Sequence, residues 1–157
     1  MKREEPKMSK INITLIKKLR EETGVAIIRI REVLEEVDGN EAKALTILKK
    51  EGLEKADKRE GRVTGAGKIF VYSHHTGKIV GVVELLCETD FVAKTDVFET
   101  VGKDLAMQVA SMGEEKLEAQ DFIKDPSKKV SDIIKEVIAK TGENVRLGKV
   151  IRVELGH

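Results

Sequence analysis

A single cysteine in 157 residues excludes an intrachain disulfide and any cysteine-paired zinc site. Aromatic residues are scarce: four Phe, one Tyr and no Trp make up 3% of the chain. That is too few for a stacking platform on single-stranded nucleic acid. Charge of one sign is also missing. Charged residues are 36% of the chain, yet the net charge is +1. Such a balance gives a well-solvated surface without the one-signed field of a nucleic-acid or anionic-membrane binder. No apolar run approaches the ~20 residues that span a bilayer. The opening Met1-Lys2-Arg3-Glu4-Glu5-Pro6-Lys7 lacks the apolar stretch of a secretory signal. These absences point to the cytoplasm, or to an organelle matrix after loss of a transit peptide, with neither nucleic acid nor membrane as partner.

Catalytic signatures are missing too. Gly61, Gly65 and Gly67 lack the spacing of a phosphate-cradling loop, so no nucleotide or other cofactor is implied. No set of side chains reads as a convergent acid–base constellation, which argues against an enzyme. His74 and His75 flank a turn, and Cys87 falls on the apolar side of a strand pattern. These three read as structural residues, not as a thiol centre or a metal site.

What is present begins with three short helical patterns. Asn12 caps a helix running to about Thr23, with Leu15, Ile16 and Leu19 on its apolar side and Gly24 as a left-handed stop. A second helix is predicted over residues 26–37, with Ile30, Val33, Leu34 and Val37 at helical spacing and Gly39 at its end. Asn40 caps a third, in which Ala44, Leu45 and Leu48 recur before Gly52. Residues 54–67 mix Lys55, Lys58, Arg59 and Arg62 with three glycines and read as a frayed helix end followed by a flexible connector.

Residues 68–74 then alternate as a strand. His75-Thr76-Gly77 supplies a turn, and residues 78–88 return as a longer strand that is apolar on both faces and therefore central. From Asp96, the positions Phe98, Val101, Leu105, Val109 and Met112 mark a helix stripe that covers the sheet. Residues 113–125 form a short connector, and Asp125-Pro126 opens a further helix lined by Val130, Ile133, Ile134, Val137 and Ile138 and stopped by Gly142. Leu147, Ile151, Val153 and Leu155 alternate in a last strand. The fold class is α+β: a three-helix bundle at residues 10–54, a linker at 55–67, and a small three-stranded antiparallel sheet packed with helices at 68–157.

The most telling stretch is Cys87-Glu88-Thr89-Asp90-Phe91-Val92-Ala93, at the corner between the central strand and the helix that follows. An acid and a large aromatic sit side by side where loops present side chains to partners. One reading makes Phe91 a wedge for a partner; the plainer one tucks it into its own core. The string Thr89-Asp90-Phe91-Val92-Ala93 after a Val/Leu-rich strand resembles the signature of the elongation factor Ts family. Ile16-Lys17-Lys18-Leu19-Arg20-Glu21-Glu22-Thr23-Gly24 is similar to that family's Lys-x-Leu-Arg-Glu-x-Thr-Gly pattern, and Asp104-Leu105-Ala106-Met107-Gln108-Val109-Ala110 and Arg152-Val153-Glu154-Leu155-Gly156 also resemble family segments. In place of the family's small pair, Met-Met and acid stand Val25-Ala26, Ile27-Ile28 and Arg29, which keep the apolar pair and reverse a charge.

The resemblance implies a ubiquitin-associated-like bundle, elongation factor Tu as partner, and a role in promoting GDP release from it. It implies that Thr89, Asp90, Phe91 and Val92 disturb the partner's Mg²⁺ site and that Arg20, Ile27 and Ile28 touch its GTPase domain. His74 stands in an element similar to a partner-facing Tyr-x-His of the family core. It further implies a homodimer, since single-core members pair where longer ones duplicate the core. The rival reading is a ubiquitin-associated-like adaptor that binds protein without exchange activity. It accounts for residues 10–54 and leaves Thr89 to Ala93 unexplained.

Overall fold

The computed structural model describes residues 11–157. The leader reading at residues 1–7 and the first residue of the bundle, Lys10, lie outside the described residues. In chain order the elements are α1 (Ile13–Thr23), α2 (Ile27–Glu36), α3 (Glu41–Asp57), β1 (Ala66–Ser73), β2 (Ile79–Cys87), α4 (Asp90–Ala93), α5 (Asp96–Met112), β3 (Asp121–Phe122), β4 (Asp125–Lys129), α6 (Val130–Thr141) and β5 (Val145–Glu154), with a 3₁₀ turn at Leu117–Ala119.

Of the first three helices, α1 and α3 start where an asparagine side chain satisfies a free backbone donor, whereas α2 starts at Ala26 without a side-chain cap. Asn12 Oδ1 accepts from the Thr14 N–H at 2.9 Å, and Asn40 Oδ1 from the Lys43 N–H at 3.0 Å. Gly24 closes α1 in the left-handed conformation. Ile16, Leu19, Ile30, Val33, Leu34 and Leu48 then meet in a closed core. Gly52 does not end α3. It keeps a helical backbone and is buried where the helix runs close to Ala139, and α3 continues five residues to Asp57. Ala56 at its end belongs to the second core, so α3 serves both.

Three hydrogen bonds tie the segment after α3 to the rest of the fold. Asn144 Nδ2 donates to the Arg62 carbonyl at 2.9 Å, Arg146 Nε to Thr64 Oγ1 at 2.7 Å, and Arg59 to the Ile138 carbonyl at 3.4 Å. Of its basic side chains, Arg59 bonds a backbone carbonyl and Arg62 lies 3.6 Å from the Glu88 carboxylate, roles that composition does not reveal.

The main sheet is antiparallel in the order β1-β2-β5, with β2 central. Val83, Leu85 and Cys87 point from β2 into the core, where Phe98, Leu105 and Val109 of α5 cover them. Two glycines allow this close packing. Gly81 lets the α5 backbone approach at Ala106 and Ala110, and Gly102 receives the Phe70 ring. Phe70 and Phe98 pack as a tilted pair with centroids 6.0 Å apart. Met112, the last residue of the predicted stripe, is 60% exposed because it ends α5, with Gly113 as the cap. The buried amide of Gln108 instead links α5 to the β3 hairpin, donating to the Asp121 carbonyl at 2.9 Å and accepting from the Ile123 N–H at 3.1 Å.

Two further sequence expectations fail locally. Asp125-Pro126 does not open a helix: both residues lie in β4, which pairs with β3 in a separate two-stranded sheet. Such an edge tolerates a residue without an N–H, and the helix α6 starts only at Val130. Its opening turn is secured by the Asp132 carboxylate, which accepts the Lys129 N–H at 2.9 Å. The second concerns the last strand. Val83 pairs with Val150 but Leu85 with Leu147, so β5 carries one extra residue there. This bulge sends Leu147 and Val150 inward and leaves Ile151 and Val153 on the open face, 46% and 58% exposed.

Candidate functional site

The corner after β2 is built from alternate anchors and projections. Val92 and Ala93 of α4 are buried, and they turn Phe91 outward to 86% exposure, with Asp90 exposed beside it. Phe91 is therefore not a core residue. Thr89 caps α4: its hydroxyl accepts the Val92 N–H at 3.4 Å. Thr95 caps α5 and donates to the Val92 carbonyl at 2.7 Å, which joins the two helices in a tight step.

Glu143, in the turn between α6 and β5, grips the corner from across the fold. Its two carboxylate oxygens accept the Thr89 N–H at 3.0 Å and the Thr89 hydroxyl at 2.7 Å. In return Glu88 accepts the Asn144 N–H at 2.7 Å. Arg62 lies 3.6 Å from the same Glu88 oxygen. Cys87 is buried, with its thiol 3.1 Å from the Thr89 carbonyl. Burial, reinforced by the Glu143 carboxylate, pushes the thiol above its ordinary pKa. It is thus a poor nucleophile and metal ligand at neutral pH.

The bundle presents its own exposed group. Arg20 is exposed, and Ile27 and Ile28 are 39% and 74% exposed, so neither isoleucine belongs to the bundle core. Arg29 faces inward along the helices. It bonds Glu51 of α3 at 2.7 and 3.1 Å, Glu32 at 2.9 Å and Glu36 at 3.1 Å. The hydrogen bonds that it donates to these carboxylates, Glu51 first, raise the guanidinium further above its ordinary pKa. The same contact lowers that of Glu51. The charge reversal at residue 29 is therefore answered within the molecule.

His74 stands apart from the corner. It sits at the β1–β2 turn, with Nδ1 2.8 Å from Thr76 Oγ1 and its ring tilted against that of His75, centroids 4.1 Å apart. The length of β2, about 27 Å at the usual strand rise, separates it from Thr89. Among the described residues no cluster of three or more His, Cys, Asp or Glu could hold a metal ion. No helix among them is long and apolar enough to cross a membrane.

The sequence singles out Thr89, Asp90, Phe91 and Val92 but not Glu143 as a residue of this corner. Its partner lies 54 positions away, and a lone glutamate after a helix-ending glycine gives no local signal.

The family model described as elongation factor TS matches residues 88–157, which begin at the corner. A protein named elongation factor Ts from Thermotoga sp. (strain RQ2) is 38% identical over an alignment that covers 94% of this chain and 97% of the relative. The protein of that name from Maridesulfovibrio salexigens is 35% identical, covering 94% and 95% of the two chains. That from Leptospira biflexa is 35% identical, covering 90% and 96%. The first alignment runs over 193 residues against 157 in this chain, so that relative carries segments absent here. With similarity of this extent along nearly the whole length, the chain belongs to the elongation factor Ts family of translation elongation factors.

Proposed function

We propose that this chain promotes GDP release from elongation factor Tu in the cytoplasm, and that it is an exchange factor, not an enzyme. The observation that carries the reading is Phe91: a large aromatic held 86% exposed on a braced corner, within the family's own string. A GTPase holds its nucleotide by a phosphate loop and by Mg²⁺ bridging phosphate oxygens. A factor that binds the empty or distorted site more tightly than the loaded one weakens nucleotide binding by the same factor that nucleotide weakens its own. In this mechanism Phe91 enters between helices of the partner's GTPase domain. Thr89 and Val92 hold the turn, and Asp90 perturbs the groups that bind Mg²⁺. The bundle, residues 10–54, supplies affinity through Arg20, Ile27 and Ile28. The unit at 68–157, reached through 55–67, supplies the wedge, with His74 as an outlying contact.

The active form is a homodimer. Support comes from the open face of the sheet, where Val71, Val82 and Ile151 stand side by side in register. Val71 and Ile151 are 62% and 46% exposed, an apolar row that a second copy can cover.

The test is release of labelled GDP from elongation factor Tu with substoichiometric amounts of the full chain. Accelerated, multiple-turnover release is the expected outcome. Tight binding without acceleration overturns exchange and leaves the adaptor reading in its place.

A further inference from the structure

Phe91 projects from α4, a single short helical turn. The four residues of α4 cannot hold a helix by themselves, since forming one turn costs more than it returns. The Phe91 ring is too exposed to be fixed by packing. The cap bond from Val92 to Thr89 is long, at 3.4 Å. Burial of Val92 and Ala93 and the Thr95 bond to the Val92 carbonyl anchor the downstream side of the turn, whereas on its upstream side the shortest polar bonds that Thr89 makes among the described residues go to Glu143, at 3.0 and 2.7 Å.

We propose that Glu143 is a positioning residue for nucleotide exchange: its carboxylate, clamped on the Thr89 N–H and hydroxyl, sets the direction in which Phe91 is presented. This deepens the exchange reading and rests on it. Bidentate, charge-assisted bonds of this kind fix orientation as well as distance. The clamp is reciprocal, because Glu88 accepts from the Asn144 N–H at 2.7 Å, so the corner and the turn after α6 brace each other by two crossed carboxylates. Asn144 carries the brace onward to the Arg62 carbonyl at 2.9 Å. The same α6 packs against the bundle, with Ala139 against Gly52 and Lys140 against Gly24. One helix therefore bears on the bundle along its last turns and on the wedge through the residue that follows its stop at Gly142. Thr89 is the effector atom set of this device, and Glu143 acts through it without touching the partner.

A residue that merely stabilises the fold lowers the melting temperature and leaves the exchange of folded molecules intact. A positioning residue lowers the maximal release rate. The experiment measures labelled-GDP release from elongation factor Tu against concentration of the full chain, for the parent, Glu143→Ala, Glu143→Gln, Phe91→Ala and Phe91→Ala/Glu143→Ala. Glu143→Ala is expected to lower the maximal rate about tenfold, with the half-saturating concentration changed less than about twofold. Glu143→Gln, which keeps an acceptor for the Thr89 N–H, loses less and carries the test should the alanine variant not fold. Because Glu143 acts through the wedge, the double variant is expected to be no slower than Phe91→Ala alone. A parental maximal rate in both Glu143 variants overturns the proposal, as does a double variant slower than Phe91→Ala by the full effect of Glu143→Ala. A slow Phe91→Ala beside parental Glu143 variants overturns this inference alone. A parental rate in Phe91→Ala overturns the exchange reading and the inference with it.

Discussion

Gly24 stops α1 directly against the backbone of Lys140: a Cβ on Gly24 would lie 2.6 Å from the Lys140 carbonyl oxygen and 2.7 Å from its Cα. Two constraints thus coincide on one residue, since Gly24 also has φ of 67°. Neither can be relieved by a flexible side chain giving way. The contact joins the bundle to α6, alongside Gly52 against Ala139 and the Lys135–Asp57 ion pair at 3.0 Å.

Gly24→Ala is therefore expected to separate the bundle from α6. The left-handed backbone alone costs an alanine about 1–2 kcal/mol, and the clash adds to it. Hydrogen exchange should quicken at residues 135–140 and in the adjoining turn of α1, while the sheet core stays protected. Unchanged protection there would mean that the contact does not hold the two parts together.

The wedge and the core can be told apart with two phenylalanines. Phe98 is fully buried and Phe91 is 86% exposed. Phe98→Ala should cost about 3–5 kcal/mol of stability. Phe91→Ala should melt close to the parent yet lose more than about tenfold in GDP-release rate, equivalent to at least about 1.4 kcal/mol. Asp90→Ala should lose less, because an exposed carboxylate near a hydrated Mg²⁺ acts through a screened field. Thermal melting paired with release kinetics checks both.

Much of this was legible in the chain. Asn12, Gly24 and Asn40 marked helix ends because capping is local chemistry, written within three residues of the site it serves. The central position of β2 followed from its apolar residues on both faces, and the corner from the abrupt change of pattern at Cys87. What escaped was set at long range. Gly52 looks like a stop, but Ala139 on another helix makes it a point of close approach inside α3. Asp125-Pro126 has the chemistry of a helix start, and only pairing with β3 makes it a strand. The bulge in β5 divides a run of alternating apolar residues between two faces, and alternation by itself carries no trace of an extra residue. Arg29 read as a reversed surface charge because its partner Glu51 comes from the third helix.

Ile28 tests the affinity side of the proposed mechanism. It is 74% exposed and supports no core, so Ile28→Glu should leave the melting temperature unchanged. Burial of one such side chain at an interface contributes about 1.5–3 kcal/mol. The half-saturating concentration for exchange should accordingly rise about tenfold or more, with the maximal rate within about twofold of the parent. A fall in maximal rate at unchanged half-saturation would place Ile28 with the wedge instead.

Cys87 gives a pH signature. Burial and the Glu143 carboxylate raise its pKa in the folded protein above the ordinary value of 9.0. As pH rises past that value, the unfolded chain releases the thiol proton while the folded chain keeps it. The folded state then binds more protons, and stability falls with rising pH through the folded pKa. This contribution is fully present below the unfolded pKa, so neutral pH should show none of the decline. Denaturant midpoints of the parent and of Cys87→Ala, measured from neutral pH upward, should converge above about pH 9 as the parent loses this advantage. A constant difference across the range would exclude the thiol as its source.

The open sheet face sets the last prediction. Val71, Val82 and Ile151 lie side by side across all three strands, and Val153 and Ile69 extend the apolar surface at 58% and 68% exposure. Strands β1 and β5 are both edges, so the face is unbroken by a fourth strand. In a symmetric pair each substitution acts twice, so one charge at the centre places two like charges in an apolar seam. Ile151→Glu should therefore halve the mass measured by light scattering at micromolar concentration. Its melting temperature should lose its dependence on protein concentration, because only association makes that temperature concentration-dependent. Ile151 offers no thiol, so reductant should leave the parent mass unchanged. A parent that is monomeric across the micromolar range, alone and with elongation factor Tu, would rule out pairing through this face.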